Sequence, residues 1–312
     1  MRDEIKGVIA MAAASTVWGL SPIYYKHLAQ VPPLEVLSHR TLWSLLFFGM
    51  VLAWQGRLHL VPLLLRGRGL AVVILAAVMI SANWYLFILS VQLGHTVEAS
   101  LGYYIFPLVA VLIGMLVFGE RLSRGQGLAV ALAVAAVGVL TAGLGVAPWI
   151  ALTLAVTFGA YGLIKKRLGA GPVVSVTAEV LVLAPLATGW LWGVHSGVWV
   201  ESGRFGGWFG QDIETSALLA FSGVITAGPL ILFSYASRRV SMATLGLVQY
   251  LNPTLQFLCA TLLFAEPFSR WHGIAFGLIW AALALYSWES LAQDRAVRRA
   301  SVRVGTSATV VK

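Results

Sequence analysis

The chain carries ionisable residues inside an otherwise apolar stretch, in the segment EVLSHR that contains Glu35, His39 and Arg40. In a membrane helix, Arg40 would lie about six residues, or ~9 Å, from the nearer end. A cation at that depth is costly unless it reaches the surface, pairs with an anion or lines water. Arg40 is therefore a candidate group for binding a carboxylate, and His39 is a candidate for proton coupling, because an unperturbed imidazole titrates near neutral pH. The alternative is that both residues anchor the adjacent loop.

A second group of polar residues lies near the other end of the chain. Gln249, Asn252 and Gln256 follow at i, i+3 and i+7, so one helix would place three amides on one face. In a membrane, that face should look into the bundle or into a wet cavity. The alternative is that the amides join helices by hydrogen bonds of about 0.6–2 kcal/mol each.

Aromatic and amide residues complete the predicted lining of a central cavity for a small-molecule substrate. Trp and Tyr are more often found at membrane interfaces, but several of these lie too deep for that role. With Arg40, the predicted cavity residues are Trp18, Asn83, Trp84, Tyr103, Tyr104, Gln249, Tyr250, Asn252 and Gln256.

The composition indicates which elements must position these residues. Of the 312 residues, 59% are hydrophobic and only 11% are charged, and the mean hydropathy is +0.86, which indicates a membrane protein. Apolar runs close to the ~20 residues needed to cross a membrane follow one another along the chain. We predict an all-α polytopic protein with ten spans at 6–26, 34–55, 69–92, 97–118, 124–142, 147–165, 172–194, 215–237, 241–264 and 271–291.

The net charge of +9 indicates an orientation in the membrane. With the N-terminus inside, most Lys and Arg residues, including Lys165, Lys166 and Arg167, fall in cytoplasmic loops or in the basic tail. Both termini are therefore predicted to be cytoplasmic, and residues 293–312 are predicted to be disordered. The positive charge attracts anionic lipid and requires no nucleic acid as a partner.

A repeated segment indicates the internal organisation. ASLGYYIFPLVAVLIGMLVFGE (99–120) and ATLGLVQYLNPTLQFLCATLLFAE (243–266) share A-[ST]-L-G, a proline and a glutamate thirteen residues later. The copies lie five spans apart, and because five is odd, the two halves would be inverted with respect to each other. We predict repeats at 1–142 and 147–291, although the second copy has two more residues between LG and the proline.

The repeated proline and glutamate have separate predicted roles. Pro107 and Pro253 each deprive a carbonyl one turn earlier of its hydrogen bond, which predicts a helix break at the middle of each span. Glu120 and Glu266 are predicted to be structural, as caps or in loop ion pairs.

A second match relates VWGLSPIYYK to TFGAYGLIKK at a spacing of 140 residues. The same spacing places Glu179 opposite His39, at a similar depth from the other membrane face. Glu179 is therefore a second candidate for proton coupling. The alternative is that an acid seven residues into a helix still reaches interfacial water.

The segments SHRTLWS, NWYLFI, EASLGYYIFPL and TLGLVQYLNPTLQF resemble the RarD family, in the EamA branch of the drug/metabolite transporter superfamily. The resemblance runs over nearly all ten spans and ends at the basic tail. It implies ten transmembrane helices in two inverted EamA repeats, a location in the bacterial inner membrane, and export or exchange of small metabolites or drugs.

These features favour a secondary transporter that works by alternating access and is not an enzyme. The chain has one cysteine and no Walker loop or HExxH motif, so we predict no metal, no cofactor and no ATP-driven pump.

One alternative is an intramembrane enzyme for a lipid-linked substrate, with Glu35, His39 and Glu98 as acid–base groups. Another is a non-transporting partner subunit, which a cavity filled by side chains would favour. The protein is predicted to be a monomer or a homodimer that packs through glycine-rich faces.

Overall fold

The computed structural model of the protein describes residues 2–119, 122–165, 167–199 and 206–307. In these ranges the chain is helical, without a regular strand. The helices are α1 (Arg2–His27), α2 (Pro33–Trp54), α3 (Val61–Leu64), α4 (Arg68–Leu93), α5 (Thr96–Phe118), α6 (Arg124–Leu144), α7 (Trp149–Lys165), α8 (Pro172–His195), α9 (Ile213–Ala236), α10 (Met242–Gln249), α11 (Leu251–Leu258) and α12 (Arg270–Ser307). A 3₁₀ turn, Leu58–Leu60, precedes α3, and a π-helical segment, Cys259–Leu263, follows α11.

Eight helices in the described ranges are long and apolar enough to cross a membrane: α1, α2, α4, α5, α6, α8, α9 and α12. The prediction of an all-α polytopic membrane protein is therefore confirmed. The remaining two predicted spans differ from these eight. Helix α7 is apolar but has only 17 residues, and the region 241–264 is divided among α10, α11 and the π-helical segment.

Local sequence explains where the helices begin and end. Prolines at the first turn start α2 and α8, where a missing N–H has no cost. Glycines in the left-handed conformation end α4 and α5. Ser123 and Gln126 form a reciprocal capping box at the start of α6.

Pro253 explains the division of the ninth predicted span. It has no N–H to donate to the carbonyl of Gln249, and α10 ends at Gln249. The Tyr250 N–H turns back to the carbonyl of Leu247 at 3.3 Å, and α11 begins at the next residue. The ninth span is therefore divided just before Pro253, where the sequence analysis places a helix break.

Pro107 does not break its helix, which corrects the prediction for the first copy. Helix α5 is continuous from Thr96 to Phe118 with Pro107 inside it. One proline removes one hydrogen bond, and membrane helices commonly absorb that loss where neighbouring helices hold them in place. Helix α5 packs extensively along α7 on one side and also contacts α6 and α11.

The last helix extends beyond the predicted span. Helix α12 continues to Ser307, whereas the sequence analysis predicts a disordered tail from residue 293. The apolar part of α12 supplies a nucleus, and Ala, Arg, Leu and Gln are good helix formers, so the helix can propagate at little cost. Residues 308–312 of the predicted tail lie outside the described residues.

The helix packing has a regular pattern between the two predicted halves. Helix α5 packs along α7, and α1 packs along α10 and α11. Helix α4 also packs along α7, and α1 along α9, while α2 packs on α8 and α6 on α12. Exchanging the five predicted spans of one half for those of the other converts α5–α7 into α1–α10/α11 and α4–α7 into α1–α9, and it leaves α2–α8 and α6–α12 unchanged.

Two glycines lie where the first helix of each predicted half crosses a helix of the other predicted half. A Cβ atom on Gly19 of α1 would lie 2.7 Å from Leu255 Cβ and 2.9 Å from the carbonyl oxygen of Asn252, on α11. A Cβ atom on Gly159 of α7 would lie 3.4 Å from the backbone nitrogen of Ala110, on α5. The 140-residue spacing relates Gly19 to Gly159, and the two glycines thus lie at corresponding helix crossings.

Glu266 caps a helix of the other predicted half. Its two carboxylate oxygens accept hydrogen bonds from the backbone N–H groups of Thr96 (2.9 Å) and Val97 (2.8 Å), at the start of α5. A carboxylate at this place satisfies two helix donors and favours the positive end of the helix dipole. Its repeat counterpart, Glu120, lies outside the described residues.

Replacing Glu266 by glutamine is expected to lower the free energy of unfolding by about 1–2 kcal/mol, because the amide loses the charge and one acceptor oxygen. Thermal unfolding of the purified protein in nanodiscs measures the change. The control is Glu214→Gln, which alters an exposed acid in the first turn of α9. Equal unfolding temperatures for the two variants would contradict the capping role.

Candidate functional site

Arg40 lies at a junction of four helices. Its side chain projects from α2 and is 6% exposed. Its Nε donates to Thr226 Oγ1 on α9, and its Nη1 donates to the Tyr25 hydroxyl on α1, both at 2.9 Å. The guanidinium carbon lies 4.0 Å from the centroid of the Trp84 ring on α4. The predicted cavity residues Arg40 and Trp84 are thus in contact.

The charge of Arg40 has no carboxylate partner within 4.0 Å among the described residues. The two acceptors that it contacts, Tyr25 and Thr226, are both neutral. Arginine has five N–H donors in a planar fork that matches a carboxylate, and a buried cation without an anion is costly. The arrangement can therefore bind a small anion.

Asn83 connects three helices close to this junction. It is 1% exposed, and its Oδ1 accepts from the Tyr103 hydroxyl on α5 at 2.8 Å. Its Nδ2 donates to the Leu154 carbonyl and to Thr157 Oγ1 on α7, both at 3.0 Å. These bonds engage both ends of the Asn83 amide, so its role in this conformation is to hold α4, α5 and α7 together.

A continuous series of aromatic rings leads away from Arg40. Successive centroid distances are 5.9 Å for Tyr25–Phe87, 5.6 Å for Phe87–Tyr103, 5.8 Å for Tyr103–Phe158 and 6.0 Å for Phe158–Tyr161. We call these five residues the aromatic row. The row crosses between the two predicted halves, because its members come from α1, α4, α5 and α7. Of the five, only Tyr103 is among the predicted cavity residues.

A second buried charged cluster lies at the far end of the aromatic row. The Glu179 side chain, on α8, is fully buried and accepts a hydrogen bond from the Tyr161 hydroxyl at 2.9 Å. Lys165 Nζ lies 3.1 Å from the other Glu179 oxygen and donates to the Tyr161 hydroxyl at 2.7 Å. Lys165, which we assigned to a loop, is therefore part of a buried ion pair at the end of α7.

His39 faces away from Arg40, although the two are adjacent on α2. Its ring stacks on Phe209 at 4.8 Å and lies 6.5 Å from the ring of His195. Its Nε2 is buried without a hydrogen-bond partner among the described residues. His39 lines a cleft of about 270 Å³ whose other walls are Leu42, Trp43, Leu46, Leu191 and Phe209.

The acids of the alternative enzyme site have other contacts. Glu35 accepts a hydrogen bond from the backbone N–H of Trp208 at 2.6 Å. Glu98 lies 3.4 Å from the imidazole of His95, one turn away on the same chain segment. In the described part of the chain, no three His, Cys, Asp or Glu side chains are placed to hold a metal ion.

Tyr104 and Tyr250 line a different cleft. Adjacent residues on a helix point about 100° apart, so Tyr103 joins the aromatic row while Tyr104 faces α11 and α12. The Tyr104 hydroxyl lies 2.6 Å from Thr254 Oγ1, and its ring stacks on Tyr250 at 6.5 Å. The cleft has a volume of about 360 Å³, and its other walls are Leu247, Thr254, Trp280, Leu283, Ala284 and Ser287.

The three predicted amides do not form one face of a cavity. The Gln256 amide donates to Asn252 Oδ1 at 2.8 Å along α11, and Gln256 is buried. Gln249 precedes the break between α10 and α11 and is half-buried. The hydrogen bond thus runs along one helix, whereas we predicted either cavity lining or bonds between helices. The ring of Trp18, also a predicted cavity residue, lies 6.4 Å from that of Phe233.

Comparison with known proteins shows that this chain is similar to membrane transporters. The model of the EamA-like transporter family matches residues 5–142. A protein named RarD from Streptomyces exfoliatus is 42% identical over 99% of this chain and 96% of its own, and RarD of Escherichia coli K12 is 34% identical over 93% and 96%. An "uncharacterized transporter", YojE of Bacillus subtilis, is 39% identical over 93% and 96%.

A solved structure, described only as the crystal structure of a protein, supports the fold. Its TM-score is 0.60 at 17% sequence identity, and the match covers 89% of this chain and 96% of that one. With relatives matched over nearly their whole length, the chain belongs to the RarD family, within the EamA branch of the drug/metabolite transporter superfamily.

Proposed function

We propose that this protein is a secondary transporter that carries small carboxylate-bearing solutes across the bacterial inner membrane. The observation that carries this proposal is the buried Arg40 guanidinium, which contacts two hydroxyls and an indole ring but no carboxylate among the described residues. A solute carboxylate would supply the missing negative charge. The aromatic row that begins at Tyr25 would contact an apolar or aromatic part of the solute.

The transport mechanism is alternating access between two inverted five-helix halves. In this arrangement, α7 is the sixth membrane crossing, and α10, α11 and the π-helical segment together are the ninth, which gives ten. The exchangeable packings and the crossings at Gly19 and Gly159 support this organisation. Broken helices such as α10–α11 are typical of transporters built in this way.

The membrane orientation follows from the basic residues. Lys6, Arg66, Arg68, Arg124 and Arg239 lie at or near helix ends that we assign to the cytoplasm. The N-terminus and the end of α12 then share the cytoplasmic side.

The names of relatives such as YojE support transport, and we assign the direction as export or exchange by resemblance to the family. The protein acts as a monomer or homodimer, driven by a proton gradient or by the gradient of the solute.

One observation favours a second candidate function. The aromatic row fills the space between Arg40 and Glu179 with side chains, as expected for a non-transporting partner subunit. In the transporter, the same packing is an occluded conformation in which the rings separate the two sides. Only the transporter must open this packing in each cycle, so a transport measurement distinguishes the two candidates.

Counterflow in proteoliposomes tests the proposal. Labelled phenylpyruvate, which has one carboxylate and one ring, should accumulate in vesicles that contain the protein and an excess of the unlabelled solute. Other small carboxylates should compete, and the neutral amide of the same solute should compete at least about tenfold more weakly. Accumulation no greater than in protein-free vesicles would contradict transport of this class, and equal competition by the amide would contradict recognition of the anion.

A further inference from the structure

The two buried charged clusters lie close to corresponding positions in the two halves. A spacing of 140 residues relates Tyr25 to Lys165 and His39 to Glu179, so Arg40 lies one residue after the counterpart of Glu179. In the first half, the contact joins the Tyr25 hydroxyl on α1 to Arg40 on α2. In the second half, it joins Lys165 on α7 to Glu179 on α8. Each cluster thus connects the first two spans of its half.

The two clusters differ in charge. Arg40 is a buried cation with neutral partners, whereas the ammonium of Lys165 is neutralised by Glu179 at 3.1 Å. The Lys165 side chain is 19% exposed and that of Glu179 is not exposed at all. An anion that approached Lys165 in this state would meet both charges of the pair, and so would gain little.

The aromatic row connects the two clusters without a gap. It begins with Tyr25, which accepts the hydrogen bond from Arg40, and ends with Tyr161, which donates to Glu179. The ammonium of Lys165 also lies 4.8 Å from the centroid of the Tyr161 ring. A path along this row would therefore lead from Arg40 to Lys165.

We propose that Lys165 is a second binding station for the solute carboxylate, and that Glu179 must take up a proton before the station can bind. Protonation neutralises the Glu179 carboxylate, so the net charge of the pair changes from zero to +1. The Lys165 ammonium is then available to the solute anion. Proton and solute binding at this station are linked and strengthen each other. The expected result is the movement of one proton with each carboxylate.

In the described part of the chain, Glu179 forms its ion pair with Lys165. Helix α8 packs against α2, α3, α4 and α9. None of the titratable residues on those helices forms an ion pair or a hydrogen bond with Glu179 in the described part of the chain. They are Glu35, His39 and Arg40 on α2, Arg68 and Tyr85 on α4, and Glu214 and Tyr235 on α9.

This inference rests on the proposed transport function. Two measurements on the same proteoliposomes distinguish a failure of the inference from a failure of the proposed function. Counterflow of phenylpyruvate reports transport alone. Accumulation driven by a pH difference, with a pH-sensitive dye to count protons, reports the coupling. We expect the wild type to show both, with about one proton per solute. Glu179→Gln should lose the pH-driven accumulation, and its counterflow should no longer change with pH, because glutamine cannot take up the proton. Lys165→Met should lose the pH-driven accumulation and most of the counterflow, and Glu214→Gln serves as the control that keeps both.

Each outcome has a defined meaning. Absence of counterflow in the wild type overturns the proposed function, and this inference with it. Counterflow without proton movement in the wild type overturns the inference alone, and this measurement does not depend on the folding of any variant. pH-driven accumulation that persists in Glu179→Gln or in Lys165→Met likewise overturns it.

Discussion

Replacing Arg40 by glutamine is expected to weaken phenylpyruvate binding by about 10–100-fold and to reduce counterflow in proportion. The neutral amide retains hydrogen-bonding groups near Tyr25 and Thr226 but removes the positive charge. A charge-assisted hydrogen bond contributes about 1.5–3 kcal/mol, which corresponds to this range of affinity. Scintillation proximity binding and counterflow on the same preparation measure both quantities.

Two further variants identify the cause of this loss. Arg40→Lys keeps the charge but not the planar fork, so its affinity should lie between those of the wild type and Arg40→Gln. Arg66→Gln removes an exposed arginine from the turn before α4 and should bind like the wild type. Wild-type binding by Arg40→Gln, in protein that remains monodisperse, would exclude Arg40 from the solute site.

Replacing Gly19 by valine is expected to remove most of the folded protein. A Cβ atom at this position would lie 2.7 Å from Leu255 Cβ and 2.9 Å from the backbone oxygen of Asn252. Because α11 would have to move away from α1, the change should cost about 3 kcal/mol or more, at the upper end of overpacking effects. The yield of monodisperse protein and its unfolding temperature in nanodiscs measure the loss.

Gly162→Val is the matched control for this prediction. Gly162 lies in α7, the counterpart of α1 in the other half, and nothing lies within 4 Å of a Cβ atom placed there. The control has the same helix-propensity cost without the steric contact, so its yield should stay close to that of the wild type. Equal losses in the two variants would show that the crossing at Gly19 is not tightly packed.

The positions of the membrane helices could be predicted largely from the sequence. An apolar run of about 20 residues determines where a helix crosses, and seven of the eight long helices agree with the predicted spans to within a few residues, while α12 continues beyond its span. A helix break was predicted at both repeated prolines, and the sequence did not show which of the two would break its helix. Pro107 and Pro253 have the same local effect on the backbone, yet only Pro253 ends a helix. Whether a proline ends its helix depends on how that helix packs against other helices. The repeated segment does not encode this packing.

The candidate site was predicted in part. Arg40, Trp84 and Tyr103 could be found because buried charge and mid-membrane aromatic residues are unusual. The partners Tyr25, Phe158 and Tyr161 could not, because their roles depend on which face of α1 and α7 turns towards α2, α4, α5 and α8. The matched segments VWGLSPIYYK and TFGAYGLIKK contain all three of these residues, so the repeat carried a signal that could have identified them.

The distance between the solute carboxylate and Arg40 tests the central claim most directly. Solid-state NMR dephasing between ¹³C-carboxylate phenylpyruvate and ¹⁵N-arginine protein, in lipid, measures that distance. We expect a carbon–nitrogen distance of about 4 Å in the wild type, as for a paired guanidinium and carboxylate, and its loss in Arg40→Gln. Identical dephasing in both proteins, or none in the wild type under saturating solute, would contradict the assignment of Arg40 as the carboxylate-binding residue.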